Sequence, residues 1–148
     1  WAIWVSRFGR RVDALSDGVK KKCLLSCYWA LHRMVETITG IGLPKAAQIG
    51  PGLRIWHFGG IFIHPGVVMG ANCTLRQGVT LGDKGDGGGA PVIGDHVDFG
   101  SGAHVIGPVK IGDQVKVGAL AVVVRDVPSG STVVGNPARI IQRANPQL

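Results

Sequence analysis

Aromatic side chains make up only 6% of this 148-residue chain, so its core cannot be built on large rings and must be filled by aliphatic groups. No run of 18 or more apolar residues is present, which leaves no candidate membrane-spanning helix. A charged start, an apolar stretch and a small-residue cleavage site do not occur in the order of a secretory leader. With Trp rather than Met at residue 1, the sequence is expected to be a piece of a longer chain. Cysteine is scarce: Cys23, Cys27 and Cys73 form neither an even disulfide set nor a Cys-x-x-Cys spacing, so they read as buried small apolar residues in a reduced, cytoplasmic setting. Acidic residues are few, nine against sixteen basic, and the formal charge is +7. That balance suits nucleic acid, an anionic membrane surface or a phosphorylated cofactor, and its sign alone does not choose among them.

Glycine is what the chain has in excess, 24 residues where an average composition carries about 7%. The length suits one domain, and its periodicity changes once. Gly40, Gly42 and Pro44 end an N-terminal helical segment, residues 1–44, in which Leu24, Tyr28, Leu31, Val35 and Ile38 share one face of a helix predicted from about Asp13 to Thr39. Residues 45–141 then follow a period of six, and 142–148 form a tail.

Three registers carry that period: Ile49, Ile55 and Ile61; then, offset by two residues, Ile63, Met69, Leu75 and Leu81; then Ile93, Phe99, Val105, Ile111, Val117 and Val123. At the 45% apolar background, thirteen apolar positions in succession arise by chance about three times in 100,000. Glycine follows the apolar residue at Gly50, Gly70, Gly82, Gly94, Gly100, Gly112 and Gly118, and a small or β-branched residue lies four places after it at Cys73, Val79, Val97, Ala103, Val109, Val115 and Ala121. A helix needs spacings of three and four and a hairpin strand alternates at two, so neither explains six. Short strands joined by tight corners do: stacked coils of a triangular prism pair each strand in parallel with the next and align the apolar residues in columns. Corner Gly and Asn would supply the positive φ of such bends. The Gly- and Asp-rich stretch 82–92 interrupts the order and reads as a protruding loop.

Trp56-His57-Phe58-Gly59-Gly60-Ile61, Gln77-Gly78-Val79-Thr80-Leu81-Gly82 and Gly135-Asn136-Pro137-Ala138-Arg139-Ile140-Ile141, set among these hexapeptides, resemble the serine acetyltransferase group of hexapeptide acyltransferases, with a layout closest to the colanic acid biosynthesis acetyltransferases. The resemblance spans roughly 49–141. It implies an all-β fold, a left-handed parallel β-helix preceded by an α-helical segment, assembled as a homotrimer with acetyl-coenzyme A as co-substrate and no metal. His57 matches the family's catalytic histidine, a general base for the acceptor hydroxyl at a cleft between subunits. Gly82 or Asp83 is the family-implied backbone donor to the oxyanion. Ser101, Gly102 and Ala119 match positions that hold the pantetheine arm through the backbone. Lys110, Lys116, Arg125, Arg139 and Arg143 are basic residues suited to the phosphates of coenzyme A, Arg139 foremost, so the positive charge requires no nucleic acid. His64, His96 and His104 lie one, three and five places after their column residues, which argues against a three-histidine zinc site.

The expected function is therefore O-acetyl transfer to a hydroxyl on a sugar, a polysaccharide precursor or another small metabolite. Serine O-acetylation is the alternative, and a non-catalytic trimeric scaffold the third reading. Serine enzymes of the group place an Arg-His pair late in the loop, where this chain has Gly88-Gly89-Ala90-Pro91-Val92, and an aspartate in an Asp-Ile-His-Pro segment where it has Gly42-Leu43-Pro44. Lys84 alone offers a cation in the loop. The partner that orients His57 is then Asp83, Asp86, a backbone carbonyl or another subunit. Trp1, Trp4 and Phe8 beside Arg7, Arg10 and Arg11 admit membrane-surface association, with packing against neighbouring helices in a trimer as the simpler account.

Overall fold

The computed structural model describes residues 1–85 and 87–142; Asp86, Arg143 and the rest of the tail lie outside the described residues. Two helices open the chain, α1 (Ala2–Asp13) and α2 (Val19–Thr39). The predicted single helix is corrected at its start: residues 14–18, with Ser16-Asp17-Gly18 favouring a turn, separate α2 from an α1 that was not foreseen. The missed signal is the stripe Ala2, Val5, Gly9 and Val12, all inward-facing, whose three- and four-residue steps are helical but whose side chains are too small to stand out. Gly9 marks the crossing point, where an added Cβ would fall 2.6 Å from a ring carbon of Tyr28. Tyr28 is fully buried, and its hydroxyl oxygen accepts the Lys45 amide hydrogen at 3.2 Å, which ties the helix pair to the first coil. Burial pushes the Tyr28 phenol above its ordinary range. Of the face predicted on α2, Tyr28 and Val35 are buried, whereas Ile38 is 68% exposed and does not belong to that core. Gly40, with φ 64°, caps α2 through its N–H to the Glu36 carbonyl. No described helix is long and apolar enough to cross a membrane.

The remainder is a β-helix of parallel strands arranged, among the described residues, in three sheets. The first face stacks Ile41–Gly42, Ile61–Ile63, Thr80–Gly82, His104–Ile106 and Val122–Val123. The second stacks Gln48–Ile49, Val68–Met69, Val92–Ile93 and Lys110–Ile111, and the third Arg54–Ile55, Thr74–Leu75, Asp98–Phe99, Lys116–Val117 and Thr132–Val134. Arg139–Gln142 closes the third face by pairing antiparallel with Thr132–Val134. Ile63, Leu81, Val105 and Val123 stand in register on the first face, and Ile49, Met69, Ile93 and Ile111 on the second. The predicted columns are these, all buried except Ile55, which is partly exposed.

Corner glycine and asparagine take the expected positive φ at Gly52, Gly78, Gly102 and Asn72, whereas the glycines directly after the column residues serve another purpose. Gly50 and Gly70 do not take positive φ; a Cβ on Gly50 would lie 2.6 Å from the Gly70 carbonyl carbon of the next coil, so it is coil-to-coil approach that excludes a side chain. On one edge positive φ falls at the second corner residue, at Gly52, Asn72, His96 and Gln114. That edge is held by N–H to carbonyl bonds from Asn72 to Pro51, His96 to Ala71 and Gln114 to Asp95, and by the Asp95 carboxylate accepting from Ala71 N–H at 2.7 Å.

Candidate functional site

Among the described residues the six-residue step is shortened once, to four between Val123 and Val127, which bridges Ile111, and it is enlarged at two places. From third face to first, the chain takes six residues between Leu75 and Leu81, Phe99 and Val105, or Val117 and Val123, but eight between Ile55 and Ile63. The two-residue offset in the hexapeptide registers is thus an enlarged corner, Trp56-His57-Phe58-Gly59-Gly60, and His57 sits on it, exposed. Gly59 and Gly60, with φ of 95° and 65°, turn the chain back onto the first face. The second enlargement is the loop, which stretches the step from Leu81 to Ile93 to twelve residues and leaves from the opposite edge of the same face.

The edge above His57 is a ladder. The N–H of Gly78 donates to Gly59, that of Gly102 to Gln77 and that of Leu120 to Ser101, at 2.9, 2.8 and 2.9 Å. The structure therefore brings Ser101, Gly102 and Ala119 onto the edge that begins at His57. The ladder uses the amides of Gly102 and Leu120, whereas those of Ser101 and Ala119 make no backbone hydrogen bond among the described residues. Small side chains and free N–H donors make this edge fit an extended amide-bearing chain such as pantetheine. Lys116 lies on the third face just before this edge, and Arg139 pairs with Val134 beside its upper end. Arg125 and Arg139 line a common hollow of about 200 Å³ at the C-terminal end. Lys110 is exposed on the second face, away from both.

Gly82 and Asp83 do not join His57 within the chain. The chain from Gly78 through the strand Thr80–Gly82 crosses the first face, about 13 Å at 3.3 Å per residue, and places them on the far edge, where the Gly82 carbonyl accepts from Gly107 N–H at 2.9 Å. Asp83 faces His64, Oδ2 to Nε2 at 3.8 Å, while His64 Nδ1 accepts the Gly66 amide hydrogen at 3.1 Å. Asp83 thus does not orient His57 in its own chain, and among the described residues no group hydrogen-bonds the His57 side chain. Lys84 packs along Gly107. His64, His96 and His104 occupy three separate places: one edge, a second edge, and the first face. Trp56 and Phe58 are 62% and 79% exposed, and Phe58 shares an apolar hollow of about 490 Å³ with Trp1, Ile38 and Ile41. Sequence reading missed this hollow because it joins the start of α1, the end of α2, the first coil and the enlarged corner.

A parallel β-helix with a six-residue step is the architecture of a hexapeptide-repeat protein. A family model described as the hexapeptide repeat of succinyl-transferase matches residues 63–84 and 92–124, interrupted at the loop. The chain is 43% identical over 116 residues to a serine acetyltransferase of Helicobacter pylori, which covers 77% of this chain and 68% of that protein. It is 40% identical over 116 residues to the serine acetyltransferase of Synechococcus elongatus, 77% of this chain and 48% of that one. The crystal structure of Brucella abortus serine acetyltransferase in complex with coenzyme A superposes with a TM-score of 0.84 at 30% identity, over 97% of this chain and 56% of that one. The chain belongs to the serine acetyltransferase family of hexapeptide-repeat acyltransferases, and it spans about half the length of other relatives that it matches. None of these relatives is a colanic acid biosynthesis acetyltransferase, the nearer likeness expected from the layout.

Proposed function

We propose that this chain is an acetyl-coenzyme A-dependent O-acetyltransferase in which His57 is the general base. The observation that carries this reading is the placement of His57 on the single enlarged corner of an edge whose next coils offer the free amides of Ser101 and Ala119. Neutral imidazole accepts the acceptor's hydroxyl proton as its oxygen attacks the thioester carbonyl. The tetrahedral oxyanion collapses, the carbon–sulfur bond breaks, and the thiolate of coenzyme A takes the proton back from the imidazolium. Gly82 or Asp83 serves as the oxyanion donor only if a second copy brings its far edge to His57. That requirement supports a homotrimer in which each cleft joins two different prism edges, with Lys116, Arg125 and Arg139 left for the cofactor phosphates.

Serine is the acceptor that the relatives favour, since the proteins matched are named serine acetyltransferases. A sugar hydroxyl is the second reading. It is favoured by a loop whose cation, Lys84, is laid along Gly107, and by the exposed rings of Trp56 and Phe58 beside the base, which suit the apolar face of a sugar. Thiol release from acetyl-coenzyme A with L-serine and with a panel of sugars distinguishes them. Higher kcat/KM for L-serine than for every sugar establishes the first; turnover on sugars alone establishes the second. No turnover on any acceptor, with no coenzyme A binding, would leave the scaffold.

A further inference from the structure

We infer that the outward face of α1 docks on an anionic lipid bilayer. At 100° per residue, Trp1, Trp4, Phe8, Arg7 and Arg11 occupy one arc of the helix, while the opposite arc of Ala2, Val5, Ser6, Gly9 and Val12 is buried against the body. The inward arc is what folding uses; on the outward arc Phe8 is partly buried against the core, whereas Trp1, Trp4, Arg7 and Arg11 are exposed. Trp1 and Trp4 are 86% and 63% exposed, and Trp4 stacks flat on Phe8 with ring centroids 5.7 Å apart. Arg7 and Arg11 line the same shallow hollow as these two rings.

Charge selects the occupant. Each carboxylate of the helical segment is engaged, Asp13 by Lys45, Asp17 by Lys21 and Glu36 by Arg33. Arg7, Arg11, Lys20 and Lys22 have no carboxylate partner among the described residues. Lys20 and Lys22 begin α2, just beyond the turn that follows Arg11, so the basic groups gather at one end of the helix pair. Indole rings beside unpaired guanidinium groups match a bilayer interface, where rings settle at headgroup depth and each Arg can fork onto lipid phosphate. A second copy seated symmetrically on this face would set Arg7 and Arg11 against their own kind, which disfavours it.

Co-sedimentation of the full chain with phosphatidylcholine vesicles containing about 30% phosphatidylglycerol, an anionic surface of the kind that draws basic residues, tests this directly. At low salt the protein is expected to pellet with these vesicles and not with pure phosphatidylcholine, and high salt should release it. Arg7→Glu/Arg11→Glu and, separately, Trp4→Ser should each weaken binding about tenfold or more, with melting temperature and lipid-free oligomeric state unchanged. Absence of binding to the anionic vesicles at low salt, or wild-type binding by both variants, would overturn the inference. So would a change in lipid-free oligomeric state in either variant, which would assign the face to contacts between copies.

Discussion

The amide of Gly78 donates to the carbonyl of Gly59 at 2.9 Å, which fastens the corner that carries His57 to the coil above it. Gly78 has φ of 75°, and an added Cβ would lie 3.1 Å from Gly102 Cα, a backbone atom that cannot swing aside. Leu120 holds the matching place higher on this edge with φ of 58°, where its own side chain lies over Gly102. Gly78→Ala should therefore destabilise the fold by about 1–2 kcal/mol for the left-handed conformation alone. Urea unfolding reads this as a lowered midpoint; an unchanged midpoint would mean that the ladder is not as tight as described.

Column positions should differ in cost according to closure of the prism around them. Phe99 is fully buried, so Phe99→Ala is expected to cost about 3–5 kcal/mol. Ile55 begins the third face and is partly exposed, so Ile55→Ala should cost about 1–2 kcal/mol. The same unfolding measurement compares them, and equal losses would contradict the column description.

The three thiols should separate by reactivity. Contrary to the burial expected of all three, Cys23 and Cys27 are exposed on α2; Cys73 is buried and burial pushes its thiol above the ordinary range. A raised value leaves less thiolate at any pH below it, so iodoacetamide at mildly alkaline pH should label the first two and spare Cys73 until the chain unfolds. The stability that comes from keeping Cys73 protonated is present below the unfolded thiol value and is lost as pH rises through the folded one. Mass spectrometry of the labelled native chain checks this; early labelling of Cys73 would contradict it.

The period of six made the prism legible because each inward position must be apolar whichever face it serves, and only Ile55 is not fully enclosed. The reason for the corner glycines was less legible, since close approach by a neighbouring coil leaves the same letter in a sequence as positive φ. α1 escaped notice because Gly9 and Ala2 pack inward while Trp1 and Trp4 point out, the reverse of the usual signal. At the site, His57, Ser101, Gly102 and Ala119 were placed by motif and do share an edge. The assignment of Gly82 and Asp83 to the far edge could not be read from spacing, because it depends on where the extra residues of each coil fall.

Substitution of His57 tests the proposed chemistry most directly. His57 is exposed on its corner and supports no part of the core, so His57→Ala should melt as the parent does and bind coenzyme A as the parent does. Its kcat for thiol release with the best acceptor should fall by about 100-fold or more, the contribution of a positioned base. Parental turnover in a folded His57→Ala chain would contradict the assignment of His57 as the base.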